Sequence, residues 1–506
     1  MKGWLGDLLR GAWALLYWNT RKSWFIVRGR PGQCPCHNPS DSGEPLKTGC
    51  EAVLGWNTPG RFRNVCPLLV CNEKGAWVCS AAPAKVRPFW ARAFGFYGAV
   101  LAAVYLLAGF SVWGALRGIG YRVTVRQVIW PRAWSELQAV RAQIFIDQAQ
   151  EHYRAGRIRE AIRALSVAYG TDPNNYALAM MLAQFYQAGN PEAADRIYLR
   201  MLQVHPEQRH ATGQAWFLSL LARGRLADVA MLAQRALPTE PEQAAGWTHA
   251  LIFATRLLHR PDLLEATAFD GKLPIAVGTT LLFEARVQRA TGAEALAILR
   301  AEPLVSDFPY ARLQRAELFI RAGQPREALA LMAASQKILS GRDVVRLALA
   351  AYAVAGDDAV RRREAAELLS PARQIGEAEL TLLAQHLIGH PDPVILASLA
   401  EGMKRLGGTE AATRREIWLN YLCALGASGD EARFAQGREQ ALAAGMITNR
   451  VGARLKEYFF PTGPRGRIET LLPSLSGLSA DLSYVLLQRY WEPPSGGAAV
   501  PNVRLD

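Results

Sequence analysis

Cysteine is nearly absent from most of this chain: six of its seven lie between Cys34 and Cys79, and the seventh is Cys423. Charge is missing altogether from the 23 residues between Phe94 and Leu116. Glycine (43) and proline (28) sit at ordinary abundance for 506 residues, which excludes collagen-like and low-complexity chains. No GxxxxGKS/T, HExxH, GxSxG or EF-hand loop occurs, so the common NTPase, hydrolase and calcium-binding readings have no starting point, and an enzyme is not expected. The eight histidines are scattered, and His205 and His390 each precede a proline at an expected helix end, where capping explains them. Carboxylates are scarce near the start. Residues 1–93 carry 13 Lys/Arg against 5 Asp/Glu, a net of +8 out of +14 for the whole chain. The remainder is only mildly basic, so nucleic acid is not an indicated partner. Half the residues are apolar, which excludes disorder as the main state, and the length calls for several domains.

The uncharged run 94–116 reads as a transmembrane helix. At ~1.5 Å per residue it spans ~34 Å, enough for a hydrocarbon core of ~30 Å. Trp90 and Trp113 stand where an aromatic belt belongs. The bland alternative, a buried core helix, rarely runs so long without a polar stripe. Residues 1–28 lack a cleavable signal pattern, because Asp7, Arg10, Arg21 and Lys22 interrupt them. Trp4, Leu8, Leu15 and Trp18 suggest an amphipathic interfacial helix, or equally a helix packed on its own domain. The flanking charges balance, so orientation rests on the basic N-terminal block, which is unfavourable to export. The expected product is a single-pass protein of a bacterial-type inner membrane, with the N-terminus cytoplasmic and the long C-terminal part on the outer side.

Residues 29–88 hold the cysteines. Cys34, Cys36, Cys50, Cys66, Cys71 and Cys79 are candidate ligands of a structural zinc, with His37 as a spare. Their irregular spacing also allows three disulfides, which would require an oxidising compartment, or plain free thiols. A hairpin is expected around Asn72-Glu73-Lys74-Gly75, bringing Cys71 and Cys79 close together. Cys423, in an apolar helical context, reads as a buried small hydrophobe.

After a linker at 117–135, with a short alternating stretch at Tyr121–Arg126, residues 136–491 read as helical and internally repetitive. Gly156, Ala161 and Pro173 recur as Gly189, Ala194 and Pro206, then as Gly224, Val229 and Pro241, always five and twelve residues apart. This resembles the tetratricopeptide repeat (TPR), a 34-residue helix-turn-helix. The match is close over 142–241; later inner turns, at His259-Arg260-Pro261, Gly292, Gly323, Gly356 and Gly429, drift in spacing. The resemblance implies an all-α, TPR-like α-solenoid that binds protein partners on a concave face. Gln184, Gln187 and Arg223 on first helices are candidate groove residues, although the basic clamp of peptide-carboxylate-binding members is not evident. The tail 492–506 is expected to be disordered.

The chain thus reads as a membrane-anchored scaffold or adaptor. One alternative is a transmembrane regulatory subunit whose cysteine block senses metal or redox state. The other is an enzyme concealed in the degenerate helical middle, which no motif supports.

Overall fold

The computed structural model describes Leu16, residues 69–71, 73–75, 77–79 and 89–493, with gaps at 270, 304–307, 371–375, 406–410 and 476–477. The expected N-terminal amphipathic helix, Cys34, Cys36, Cys50, Cys66 and most of the tail lie outside the described residues. Two compact units form, Met1–Ile144 and Phe145–Asp506.

In the first unit, β1 (Leu69–Cys71) pairs antiparallel with β2 (Trp77–Cys79). The turn between them ends on Gly75 at φ 73°, a left-handed conformation that glycine adopts without strain. This is the expected hairpin. In the backbone register Leu69 pairs with Cys79 and Cys71 with Trp77. Helix α1 runs Phe89–Gly118, beyond both ends of the uncharged run. Its segment Gly98–Gly118 is long and apolar enough to cross a membrane, and none of it is buried within the protein. The alternating stretch after it is not a strand. Thr124 begins a one-turn helix α2 (Val125–Ile129), because its capping box with Gln127 satisfies the first backbone donors.

Helix α3 (Trp134–Arg154) links the two units. The second unit is built of consecutive helices: α4 (Ile158–Thr171), α5 (Tyr176–Gly189), α6 (Pro191–Val204), α7 (Arg209–Ala222) and α8 (Leu226–Ala236). Next come α9 (Ala244–Leu258), α10 (Asp262–Phe269), α11 (Ile275–Arg289), α12 (Gly292–Ala301) and α13 (Pro309–Arg321). They are followed by α14 (Pro325–Ala334), α15 (Gly341–Ala355), α16 (Asp358–Leu368), α17 (Glu377–Gly389) and α18 (Pro393–Lys404). The chain ends with α19 (Ala411–Ala427), α20 (Glu431–Ala443), α21 (Asn449–Phe459), the short α22 (Ile468–Leu471) and α23 (Ala480–Tyr490).

From α4 to α16 each helix packs on the next, and α9 meets α11, α13 meets α15, and α15 meets α17. The recurring sequence positions explain this. Ala161, Ala194 and Val229 are fully buried, small enough to let helices approach. Gly156 and Gly224 turn the chain at positive φ, Gly189 does not, and at the next inner turn His259 itself takes the left-handed conformation at φ 54°. Pro206 and Pro241 each open a 3-10 turn that leads into the following helix. Cys423 is fully buried as expected, and burial pushes its thiol up to about 12.

Candidate functional site

The array does not end where its helices run out. Helix α23 returns to pack on α7 and α17, elements far apart in sequence. Its Leu482, Leu486 and Leu487 are fully buried. Tyr484 lies among Phe217 of α7 and His249 and Phe253 of α9, with ring centroids 6.2, 4.6 and 4.5 Å away. Polar contacts fix its two ends. Asp481 pairs with Arg342 of α15 at 3.5 Å, and Arg489 donates to the Gly389 carbonyl of α17 at 2.7 Å. The segment before it is seated as closely: Glu469 presses on Gly224, where a Cβ would stand 2.3 Å from its Cγ. One helix therefore touches four helices at alternating positions in the array.

An ionic ladder runs from α9 through α11 and α13 to α15. Arg256 of α9 grips Glu284 of α11 through two hydrogen bonds of 2.6 and 2.8 Å. Gln288 and Gln314 complete the shell of Glu284 at 2.9 and 2.6 Å. Arg256 also lies 3.8 Å from Glu317 of α13, which Arg346 of α15 holds at 3.0 Å. Burial pushes the Glu284 carboxyl up, but the charge and hydrogen bonds of Arg256 outweigh it and hold the group below its ordinary value. Glu317 is likewise pushed up by burial and brought below its usual value by Arg346, His249 and Arg256. His249 is lowered, chiefly by burial and further by Arg346 and Arg256, against the opposing pull of Glu317. Each carboxylate is thus held ionised, Glu284 by Arg256 and Glu317 between Arg256 and Arg346. That suits the ladder to locking helices in register rather than to shuttling protons.

The sequence-predicted groove residues divide. Gln184 is exposed on α5. Gln187 donates to the Tyr198 hydroxyl at 2.6 Å, and burial pushes that phenol up to about 12. Arg223 is bound by Asp195 at 2.6 and 3.1 Å, an acid that also accepts from Trp216 Nε1 at 2.8 Å. Both side chains are therefore occupied inside the array. Of the predicted metal ligands, Cys71 is exposed and outside any disulfide, and Cys79 is the last residue of β2. Among the described residues no three potential ligands converge on one point.

A second buried group lies at the α16–α18 junction. Asp392 caps α18 and accepts from Arg361 and Arg362 at 2.8 and 2.9 Å. His386 of α17 stacks near His390 with ring centroids 5.2 Å apart, and its Nε2 has no hydrogen-bond partner. Burial, the neighbouring His390 and Arg361 bring His386 down to about 3. A histidine lowered in the fold takes up a proton on unfolding, so stability falls as pH drops from 6.5 toward 3. A melting temperature that declines more steeply below pH 6.5 in the parent than in His386→Gln is the expected result. Parallel curves would remove the histidine from the account.

No family model matches this sequence, and no curated protein matches it.

Proposed function

We propose that the protein is a membrane-anchored scaffold: α1 spans the bilayer once, and the second unit is a TPR-like solenoid that holds partner proteins. The observation that supports this reading is the run of consecutive helix pairs in the second unit, whose second helices α4, α6 and α8 bury Ala161, Ala194 and Val229 at the matched offsets. The bilayer assignment is supported by the apolar segment Gly98–Gly118, none of which is buried and most of which is exposed, an arrangement that in water would be costly. The N-terminal part lies in the cytoplasm of a bacterial-type cell and the solenoid on the outer side of its inner membrane, in keeping with the net +8 of residues 1–93.

A structural zinc staples the cysteine block. Cys71 and Cys79, on paired strands of the ribbon, would supply two thiolates, and two more come from Cys34, Cys36, Cys50 and Cys66. The zinc supplies cross-linking enthalpy that a block of this size lacks in its core.

Since α23 covers the middle first helices, partners engage the array ahead of it, on α3 and α5. There Tyr153 and Gln184 are exposed and Tyr153 packs edge-on against Phe185 at 5.6 Å. A photo-reactive amino acid at Gln184 in the full-length protein is expected to yield a discrete cross-linked partner in cells. The same probe at Arg196, exposed on second helix α6, should not. Adducts from Arg196 alone, or from neither position, would overturn the assignment.

A further inference from the structure

Helix α1 is too long for the membrane it is proposed to cross. Its 30 residues extend about 45 Å, against a hydrocarbon core of about 30 Å. The chain that follows shows where the excess lies. Helix α2 folds back along α1, so that Ile129 Cγ1 stands 2.8 Å from where a Cβ on Gly109 would be. Tyr105 donates its hydroxyl to the Ile129 carbonyl. Trp113 Nε1 donates to the Val123 carbonyl at 3.2 Å, and Trp134 Nε1 to the Val128 carbonyl at 3.0 Å. Gly109 is nine residues short of Gly118, so the fold-back reaches about 14 Å down the helix.

What lies along those 14 Å cannot sit in hydrocarbon. Arg117, Arg122, Arg126 and Arg132 are exposed, Arg126 is 3.8 Å from Glu136, and the open ends of a one-turn helix need water. Nor is the segment an ordinary soluble surface. Ile119, Trp130 and Trp134 are more than half exposed beside it. Between Arg117 and Trp134 there are four arginines and no carboxylate. Exposed tryptophans interleaved with arginines match the headgroup layer, where rings bury their apolar bodies and guanidinium groups meet phosphate.

We propose that residues 119–134 form a collar that seats on an anionic phospholipid leaflet and sets the hydrocarbon boundary near Gly109, not at Leu116. The inference rests on the reading of α1 as membrane-spanning. It leaves Phe89–Gly109 as the span, 21 residues and about 32 Å, which still matches the bilayer. Arg92 then falls within the first turn, at the opposite boundary.

The test uses the full chain reconstituted in phosphatidylcholine vesicles, with and without phosphatidylglycerol. A charged maleimide is applied to both faces, and labelling is read by mass spectrometry of the substituted peptide. Val112→Cys and Ser111→Cys, both exposed on α1, are expected to label, whereas Leu101→Cys is not. Trp130→Cys should label more slowly when phosphatidylglycerol is present, by about fivefold for each arginine engaged. Arg122→Gln with Arg126→Gln should remove most of that difference. Labelling at Leu101 would refute the membrane span itself. Protection of Leu101, Ser111 and Val112 alike would keep the span and refute the collar. Equal rates at Trp130 in both vesicles would refute its recognition of anionic lipid.

Discussion

Leu486→Asp is expected to loosen the middle of the array, not merely its last helix. Leu486 is fully buried where α23 meets the rest of the second unit, and an unpaired carboxylate there costs on the order of 3–5 kcal/mol. Because α23 packs on α7 and α17 and places Tyr484 against α9, its release uncovers three other helices. Hydrogen exchange of the full-length protein in detergent should therefore speed up at the amides of α7, α9 and α17. Gln488→Asp, on the exposed side of the same helix, should change none of them. Faster exchange confined to residues 468–491 would mean that the C-terminal helix is an appendage and the array is self-supporting. The physical point is cooperativity. A stack in which each helix touches only its neighbours frays from its ends, whereas a helix that ties early to late members couples them.

The parts of this fold that could be read in the sequence are those fixed by local chemistry. The offsets from Gly156 to Ala161 to Pro173 mark a turn, a crossing and a stop, each decided within a dozen residues, and the structure places Ala161 at the buried crossing. The ribbon at Leu69–Cys79 was legible for the same reason, as its turn needs only a glycine in the left-handed region. Gln187 and Arg223 show the limit. Repeat spacing identifies a first helix, but it does not say which of its stripes meets Tyr198 on the same hairpin or Asp195, 28 residues back. The return of α23 left no local signature, because its contacts join residues 100 and 139 apart. The fold-back of α2 along α1 left no local signature either. An uncharged run records where charge is absent, and it says nothing of the approach of Ile129 to Gly109. The ionic ladder did leave a trace: Arg256, Glu284, Glu317 and Arg346 follow one another at 28, 33 and 29 residues, close to the repeat length.

That ladder carries the other large expected effect. Glu284→Ala should destabilise the second unit by roughly 3–5 kcal/mol, because it leaves Arg256 buried without its principal partner. Most of that loss is the cost of the stranded guanidinium rather than the net worth of the pair. Removing both charges with Arg256→Met and Glu284→Leu should consequently recover most of it, although Gln288 and Gln314 lose their shared acceptor. Arg256→Lys should behave like a partial deletion, since an ammonium cannot reproduce the two-pronged contact to Glu284 or also reach Glu317. Melting temperatures of the full-length protein would rank the variants as parent, double variant, Arg256→Lys, then Glu284→Ala. Hydrogen exchange at α9, α11 and α13 would locate the damage. A double variant no more stable than Glu284→Ala would mean that the charges do more than balance each other. They would then be needed individually to hold the neighbouring Glu317 and Arg346 in place.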